Sequence, residues 1–358
     1  MHPSLVPITI LVGMMVVFLS EQHFSDKLRE GGFVSQDMYK PGKVMLPSKG
    51  GLLILFGGLI SLIVMIFAFR VANFFMDTRV LPYSLSEIDE AIMYTALIFA
   101  FYGVLDDYMN VGRVSKLILP VLFSYPIATT MSLGSSIPIP LLGSLSSSLP
   151  LLSLGGESIV VSQAVRFLIV PLYIMVVANL VNMHSGFNGL QSGLSLILLC
   201  SLLFKASLSG SIEHVLVAAA VTGGLAGFWW YNKYPARLFE GNTGSMVVGA
   251  TMGGIIVTQG FFFSGFVMLI PHTVNFLMYF YWRLKRKLLV RQGKEPGYYH
   301  HTIKFGELRE DGTLDVPNRL TLKWFIPYHR PTTEKQAVLY MYALTAVFCV
   351  IGILMPVY

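Results

Sequence analysis

Charge is scarce in this chain. Asp, Glu, Lys and Arg together make up 12% of its 358 residues, and 54% are hydrophobic. Soluble domains carry roughly 25% charged residues. A soluble fold of this size has no interior able to hide so much apolar surface, so the composition excludes an ordinary soluble enzyme and implies a polytopic membrane protein. Cysteine is almost absent. Cys200 and Cys349 both sit inside apolar runs, which excludes a disulfide framework and a cysteine-ligated metal. The opening Met1-His2-Pro3 lacks the basic stretch that precedes the apolar core of a cleaved signal peptide, so the first run reads as a retained span. No internal repeat is visible, and an inverted-repeat transporter gains no support.

What the chain does have is a series of apolar runs, ten in all: 4–20, 51–74, 91–105, 116–133, 165–181, 192–207, 213–231, 245–260, 262–282 and 336–356. Several are shorter than the ~20 residues that cross a bilayer comfortably. The predicted fold is an all-α polytopic membrane protein of about ten transmembrane helices, one domain over 1–358. A small cytoplasmic strand-containing loop insertion, 283–335, lies between the last two helices. Within it, Gly306-Glu307-Leu308 and Asp311-Gly312-Thr313-Leu314 read as strand–turn–strand. Lys and Arg concentrate in the odd-numbered connections, from Lys27, Arg29, Lys40, Lys43 and Lys49 in the first to the strongly basic ninth. The fourth, 134–162, has none, and its Ser, Pro and Gly predict a hairpin or irregular cap. By the positive-inside bias the odd connections are cytoplasmic and both termini lie outside.

The polar clusters fall in those odd connections, on one face. Asp106-Asp107 ends an apolar run, with Lys116 ten residues later. Adjacent carboxylates at a membrane surface suit a hard cation or proton handling, and Lys116 suits a phosphate. The same residues also fit a polar helix end and a snorkelling anchor. Asn182-Met183-His184-Ser185-Gly186-Phe187-Asn188-Gly189-Leu190 offers neutral oxygens and close backbone approach, or is a simple turn; His184 reads as a hydrogen-bonded structural histidine. Phe239-Glu240-Gly241-Asn242-Thr243-Gly244-Ser245 offers an aromatic face and a helix start to a nucleotide, or is a helix capped by Thr243 or Ser245. His300, His301 and Lys304 in the ninth connection are within reach of a sugar or phosphate. Adjacent histidines cannot share one helix face, which disfavours a helical metal pair.

Taken together, these stretches resemble the polyprenyl-phosphate N-acetylhexosamine-1-phosphate transferase family. The resemblance runs in order from Pro47-Ser48-Lys49-Gly50-Gly51 to the ninth connection, and is nearest to the branch that begins dolichol-linked glycan assembly. It implies transfer of N-acetylglucosamine-1-phosphate, or a related hexosamine-1-phosphate, from a UDP-sugar to polyprenyl or dolichyl phosphate. It also implies Mg²⁺ (or Mn²⁺) held by Asn182 and Asn242, Asp106 and Asp107 orienting Lys116 and the acceptor, and Phe239 stacking the uracil beside Gly186 and Asn188. His300, His301 and Lys304 would lie on the sugar and phosphates. The implied setting is a membrane, an archaeal cell membrane ahead of an endoplasmic reticulum membrane, with a cytoplasmic site, a homodimer as a candidate assembly and no nucleic acid. Three departures stand out. Asn242 replaces a carboxylate, Ser48 stands where a Glu is common, and the ninth connection lacks the Arg-rich sugar motif of the eukaryotic enzymes. Two other classes fit the composition: a lipid or solute transporter, for which Arg166 and Lys205 are the candidate path residues, and a catalytically weakened scaffold.

Overall fold

The computed structural model describes residues 5–42, 44–76, 85–109, 111–112, 114–131, 134, 136–139, 143–154, 157–210, 212–294 and 305–357. The first half runs α1 (Leu5–Glu30), β1 (Val34–Gln36), β2 (Met45–Pro47), α2 (Gly51–Met76), α3 (Glu87–Met109), α4 (Ser115–Phe123) and α5 (Tyr125–Thr130). The fourth connection holds β3 (Ser136–Ile139), β4 (Gly143–Ser146), β5 (Pro150–Leu154) and β6 (Glu157–Val160). After it come α6 (Val161–Ala164), a π-helical turn Val165–Ile169 and α7 (Val170–Met183). The second half runs α8 (Leu190–Leu208), α9 (Leu216–Asn232), α10 (Gly241–Thr258), α11 (Phe262–Met268), α12 (Ile270–Arg291), β7 (Glu307–Leu308), β8 (Leu314–Asp315), α13 (Leu322–His329) and α14 (Glu334–Leu354). Each sheet is a single antiparallel pair.

All ten apolar runs fall on helices, but they are not ten equal spans. Among the described residues, six stretches are long and apolar enough to cross a membrane: α1, α2, α3, the continuous Val161–Met183, α8 and α14. The pair α11–α12, bent by 62°, makes a seventh if counted as one. The difference from ten has local causes. The fourth run breaks into α4 and α5 at Ser124, followed by Tyr125 and Pro126, and α9 has only 17 residues. Helix α10 has 18 residues and is rich in Gly, Ser and Thr. It need not be lipid-compatible because every residue from Thr243 to Val257 is buried, packed against α2, α3, α7, α8 and α9.

Small residues make that packing possible. A Cβ on Gly103 of α3 would stand 2.6 Å from Thr243 Cα, so only glycine lets α3 cross the head of α10 this closely. On the side carrying the basic connections, a third hydrophobic cluster joins Tyr39, Phe187, Leu190, Leu314, Trp324 and Met341. It fastens the first and ninth connections to the starts of α8 and α14. The expected hairpin is present: Glu307 pairs with Asp315 and Leu308 with Leu314, around an Asp311 side chain that accepts from Thr313 N. The fourth connection forms two hairpins, as its turn residues predict. The β1–β2 hairpin and α13 were not anticipated.

Candidate functional site

The two adjacent aspartates do different things. Asp106 is buried, and its Oδ2 accepts from Lys116 Nζ at 2.6 Å, while its Oδ1 accepts from Val111 N. This buried charge is paired and hydrogen-bonded, as it must be to tolerate desolvation, and it holds the Lys116 ammonium at the start of α4. Asp107 turns instead to α10. It accepts from Asn242 N (2.9 Å), Thr243 N (3.2 Å) and Thr243 Oγ1 (3.0 Å). A carboxylate on the free N–H groups and positive dipole end of a helix is favourable on both counts. The expected self-capping by Thr243 or Ser245 is therefore corrected: no residue of α10's own start caps it with a side chain, and Asp107 of α3 does the work.

Beside this junction lies a cavity of about 270 Å³ whose lining includes Asn182, Gly186, Asn188, Phe239, Glu240 and Asn242. The Pro47–Gly51 motif fixes its floor. Phe239 N donates to Pro47 O, Gly50 N to Phe239 O and Gly51 N to Glu240 O, so the Phe239 ring is presented from a clamped backbone. Lys49 in that motif has φ +69° and sets its ammonium over the rings of Phe33 and Tyr108. Asn182 Oδ1 accepts from Ser245 Oγ of α10, which ties the end of α7 to the head of α10. Asn188 is engaged at both ends: its N and Nδ2 donate to Glu334 Oε1, and its Oδ1 accepts from Ala236 N. It braces the cavity wall that it also lines.

Five of the residues expected at a site, Asn182, Gly186, Asn188, Phe239 and Asn242, thus line one cavity. Asp107 touches its edge through Asn242, with the Asp106–Lys116 pair behind it. His300, His301 and Lys304 lie outside the described residues. His184 differs from expectation. It is buried, its ring nitrogens make no hydrogen bond among the described residues, and it stands edge-on to His272 at 4.6 Å between centroids. Burial first, then the charges of His272 and Lys323, hold its pKa well below the usual histidine value.

Several residues were missed. Glu240 is buried with neither carboxylate oxygen partnered among the described residues, and burial pushes its pKa up to about 8. Lys323 of α13 donates to Ser185 O at 2.7 Å and lies in the space a Gly186 side chain would need. Asp37 and Lys40 pair at 3.1 Å near the cavity mouth. A carboxylate inside an FEGNTG stretch was a visible signal for Glu240. Nothing local marks Lys323 among the many basic residues of its connection. No group of three or more His, Cys, Asp or Glu among the described residues is placed to hold a metal. Asn182, Asn242 and the unpartnered Glu240 share the lining of one cavity, and oxygen donors are the ligand type a hard cation takes.

These features fit an enzyme handling phosphates at a membrane surface, and the comparisons agree. Residues 90–260 match the model of glycosyl transferase family 4. Over nearly its whole length the chain is similar to a protein of Saccharolobus solfataricus provisionally named UDP-N-acetylglucosamine–dolichyl-phosphate N-acetylglucosaminephosphotransferase, 26% identical over 355 residues, 97% of this chain and 95% of that one. A Sulfolobus acidocaldarius protein of the same name is 26% identical over 303 residues, 83% and 84% of the two chains. The phospho-N-acetylmuramoyl-pentapeptide-transferase of Clostridioides difficile is 32% identical over 168 residues, 43% and 48% of the two.

Proposed function

We propose that this chain transfers N-acetylglucosamine-1-phosphate, or a close N-acetylhexosamine-1-phosphate, from a UDP-sugar to a polyprenyl or dolichyl phosphate, releasing UMP. The observation that carries this reading is the junction of α3 with α10, where the Asp106-held Lys116 and the Asp107-braced helix start meet beside the cavity of Asn182, Phe239 and Asn242. An oxygen of the lipid phosphate attacks the β-phosphorus of the donor, the bond to the α-phosphate oxygen breaks, and UMP leaves. Two unit charges at 4 Å repel by about 4 kcal/mol at an effective dielectric near 20, so bringing two phosphates together requires cations. Lys116 stands ready to meet the incoming lipid phosphate, and Asp106 keeps it in place. A phosphate monoester with a second pKa near 6 is already ionised at pH 7, so the aspartates act as organisers of charge and need not remove a proton. Phe239 offers its ring to the uracil.

Asn182, Asn242 and Glu240 would hold Mg²⁺, which when bound would neutralise the donor diphosphate and the leaving UMP. Asn242 supplies a neutral oxygen where the resembled family has a carboxylate, and Glu240 is the carboxyl group nearest to it in sequence. The chain works as a multi-pass protein with the site at the cytoplasmic leaflet of a cell membrane, where a soluble donor meets a lipid acceptor. A transport path is disfavoured because its two candidate cations are occupied. Lys205 Nζ donates to Ile353 O and Met355 O at the end of α14, and Arg166 donates to Ala128 O. The test is radiolabelled UDP-N-acetylglucosamine with a short polyprenyl phosphate. Mg²⁺-dependent UMP release together with a lipid-linked sugar is the expected result. Sugar flux without UMP would replace the reading with transport, and neither product would leave a scaffold.

A further inference from the structure

Across the Ser185–Gly186 turn lies a second cavity of about 430 Å³, and Ser185, Gly186 and Phe305 line both. Its far wall comes from α12 and from the stretch leading into α13. Tyr279 and Trp282 stack there at 5.9 Å with 29° between planes, a flat aromatic surface. Trp282 Nε1 and Thr321 Oγ1 are buried hydrogen-bonding groups without a partner among the described residues. Such groups carry a desolvation cost unless something fills their hydrogen bonds.

Among the described residues, three cations line this cavity. Lys323 stands at the turn shared with the first cavity; Arg283 and Arg286 lie beyond it, three residues apart on α12. None forms an ion pair with a carboxylate among the described residues. Lys323 at the junction matches the donor diphosphate, and burial lowers its pKa to about 8. The two arginines are then left over for whatever the sugar carries. A neutral N-acetylhexosamine offers them only neutral hydroxyl and carbonyl acceptors, whereas a carboxylate matches a guanidinium in a bidentate, charge-assisted fork.

Resting on the transferase reading above, we infer that the second cavity receives the sugar end of the donor and selects a hexosamine bearing a carboxylate, such as a uronate, through Arg283 and Arg286. The aromatic wall covers the apolar face of the ring, and the Trp282 and Thr321 groups meet its hydroxyls or acetamido group.

The experiment compares UDP-N-acetylglucosamine with UDP-N-acetylglucosaminuronate on the full chain in detergent. Dissociation constants are measured by calorimetry, and UMP release with a short polyprenyl phosphate. The expected result is at least about tenfold tighter binding of the uronate donor, the scale of one charge-assisted hydrogen bond. In Arg283→Gln and Arg286→Gln the ratio should fall toward parity, with melting temperature as the check on folding. If a variant fails to fold, the wild-type ratio decides alone. Equal affinity of the wild type for both donors overturns the inference, and UMP release from the neutral donor would leave the transferase reading standing. No UMP from either donor would instead sink that reading, while the calorimetric ratio still decides the carboxylate preference. If phosphatidylglycerol abolishes the preference and Arg286→Gln abolishes phosphatidylglycerol binding, the cavity belongs to lipid headgroups and the inference fails.

Discussion

Replacing Gly103 with alanine adds one methyl group where α3 crosses the head of α10. That carbon would stand 2.6 Å from Thr243 Cα and 3.0 Å from both Asn242 O and Thr243 N. All three are backbone atoms and cannot rotate aside. Ordinary contact begins at 3.4 Å, so the helices must part by about 0.8 Å. Overpacking of this kind costs about 1–3 kcal/mol. Alanine's better helix propensity offsets about 1 kcal/mol of that, so melting moves only modestly. The larger effect is on Asp107, one helical turn further on. Its bonds to Asn242 N and Thr243 N start at 2.9 and 3.2 Å, and a full shift of about 0.8 Å takes both out of hydrogen-bond range. A misplacement near 1 Å reduces turnover by about 10²-fold. The assay is UMP release at saturating donor and acceptor, with a melting curve in detergent. A Gly103→Ala variant with wild-type turnover would refute the argument that this close crossing sets the geometry of the site.

Lys116→Ala should lower turnover by orders of magnitude and also lower the melting temperature, because buried Asp106 loses its cation; an unchanged rate in the folded variant would remove Lys116 from the chemistry. Asn242→Asp should keep activity and lower the Mg²⁺ concentration needed for half-maximal rate, and abolished activity would show that the position holds no metal. Glu334→Ala leaves the Asn188 N and Nδ2 groups without their acceptor and should destabilise the fold by about 1–3 kcal/mol; Glu334→Gln, which keeps an acceptor, should recover most of it, and equal melting of the two variants would refute the role. Lys323, lowered to about 8 by burial, binds fewer protons folded than unfolded between there and its usual value of about 10.4. Stability therefore rises with pH through that window. Wild type should gain on Lys323→Met from about pH 8 to about pH 10; a constant difference in melting temperature would refute it.

The helices were legible because hydropathy is a local signal: every expected apolar run lies on one. The number of true crossings was not, because α10 is shielded by its neighbours and α4 and α5 break at Ser124, and neither is visible in hydropathy alone. The Asp106–Lys116 pair was legible because ten residues separate its members. Asp107's partners lie 135 and 136 residues away and Asn188's acceptor 146, so only the fold could assign them. Thr243 looked like a cap by its type; it is the residue that receives one. Strands β1 and β2 have three residues each, too few for an alternation to register, and Pro327 inside α13 disguised a short helix as loop.

Because α10 is enclosed on every side by other helices, the bilayer has no direct grip on it. Shifts in lipid thickness or fluidity reach its catalytic end only after passing through α3, α7 and α2. Turnover should therefore tolerate wide changes of host lipid, and any sensitivity that remains will trace to entry of the long-tailed acceptor.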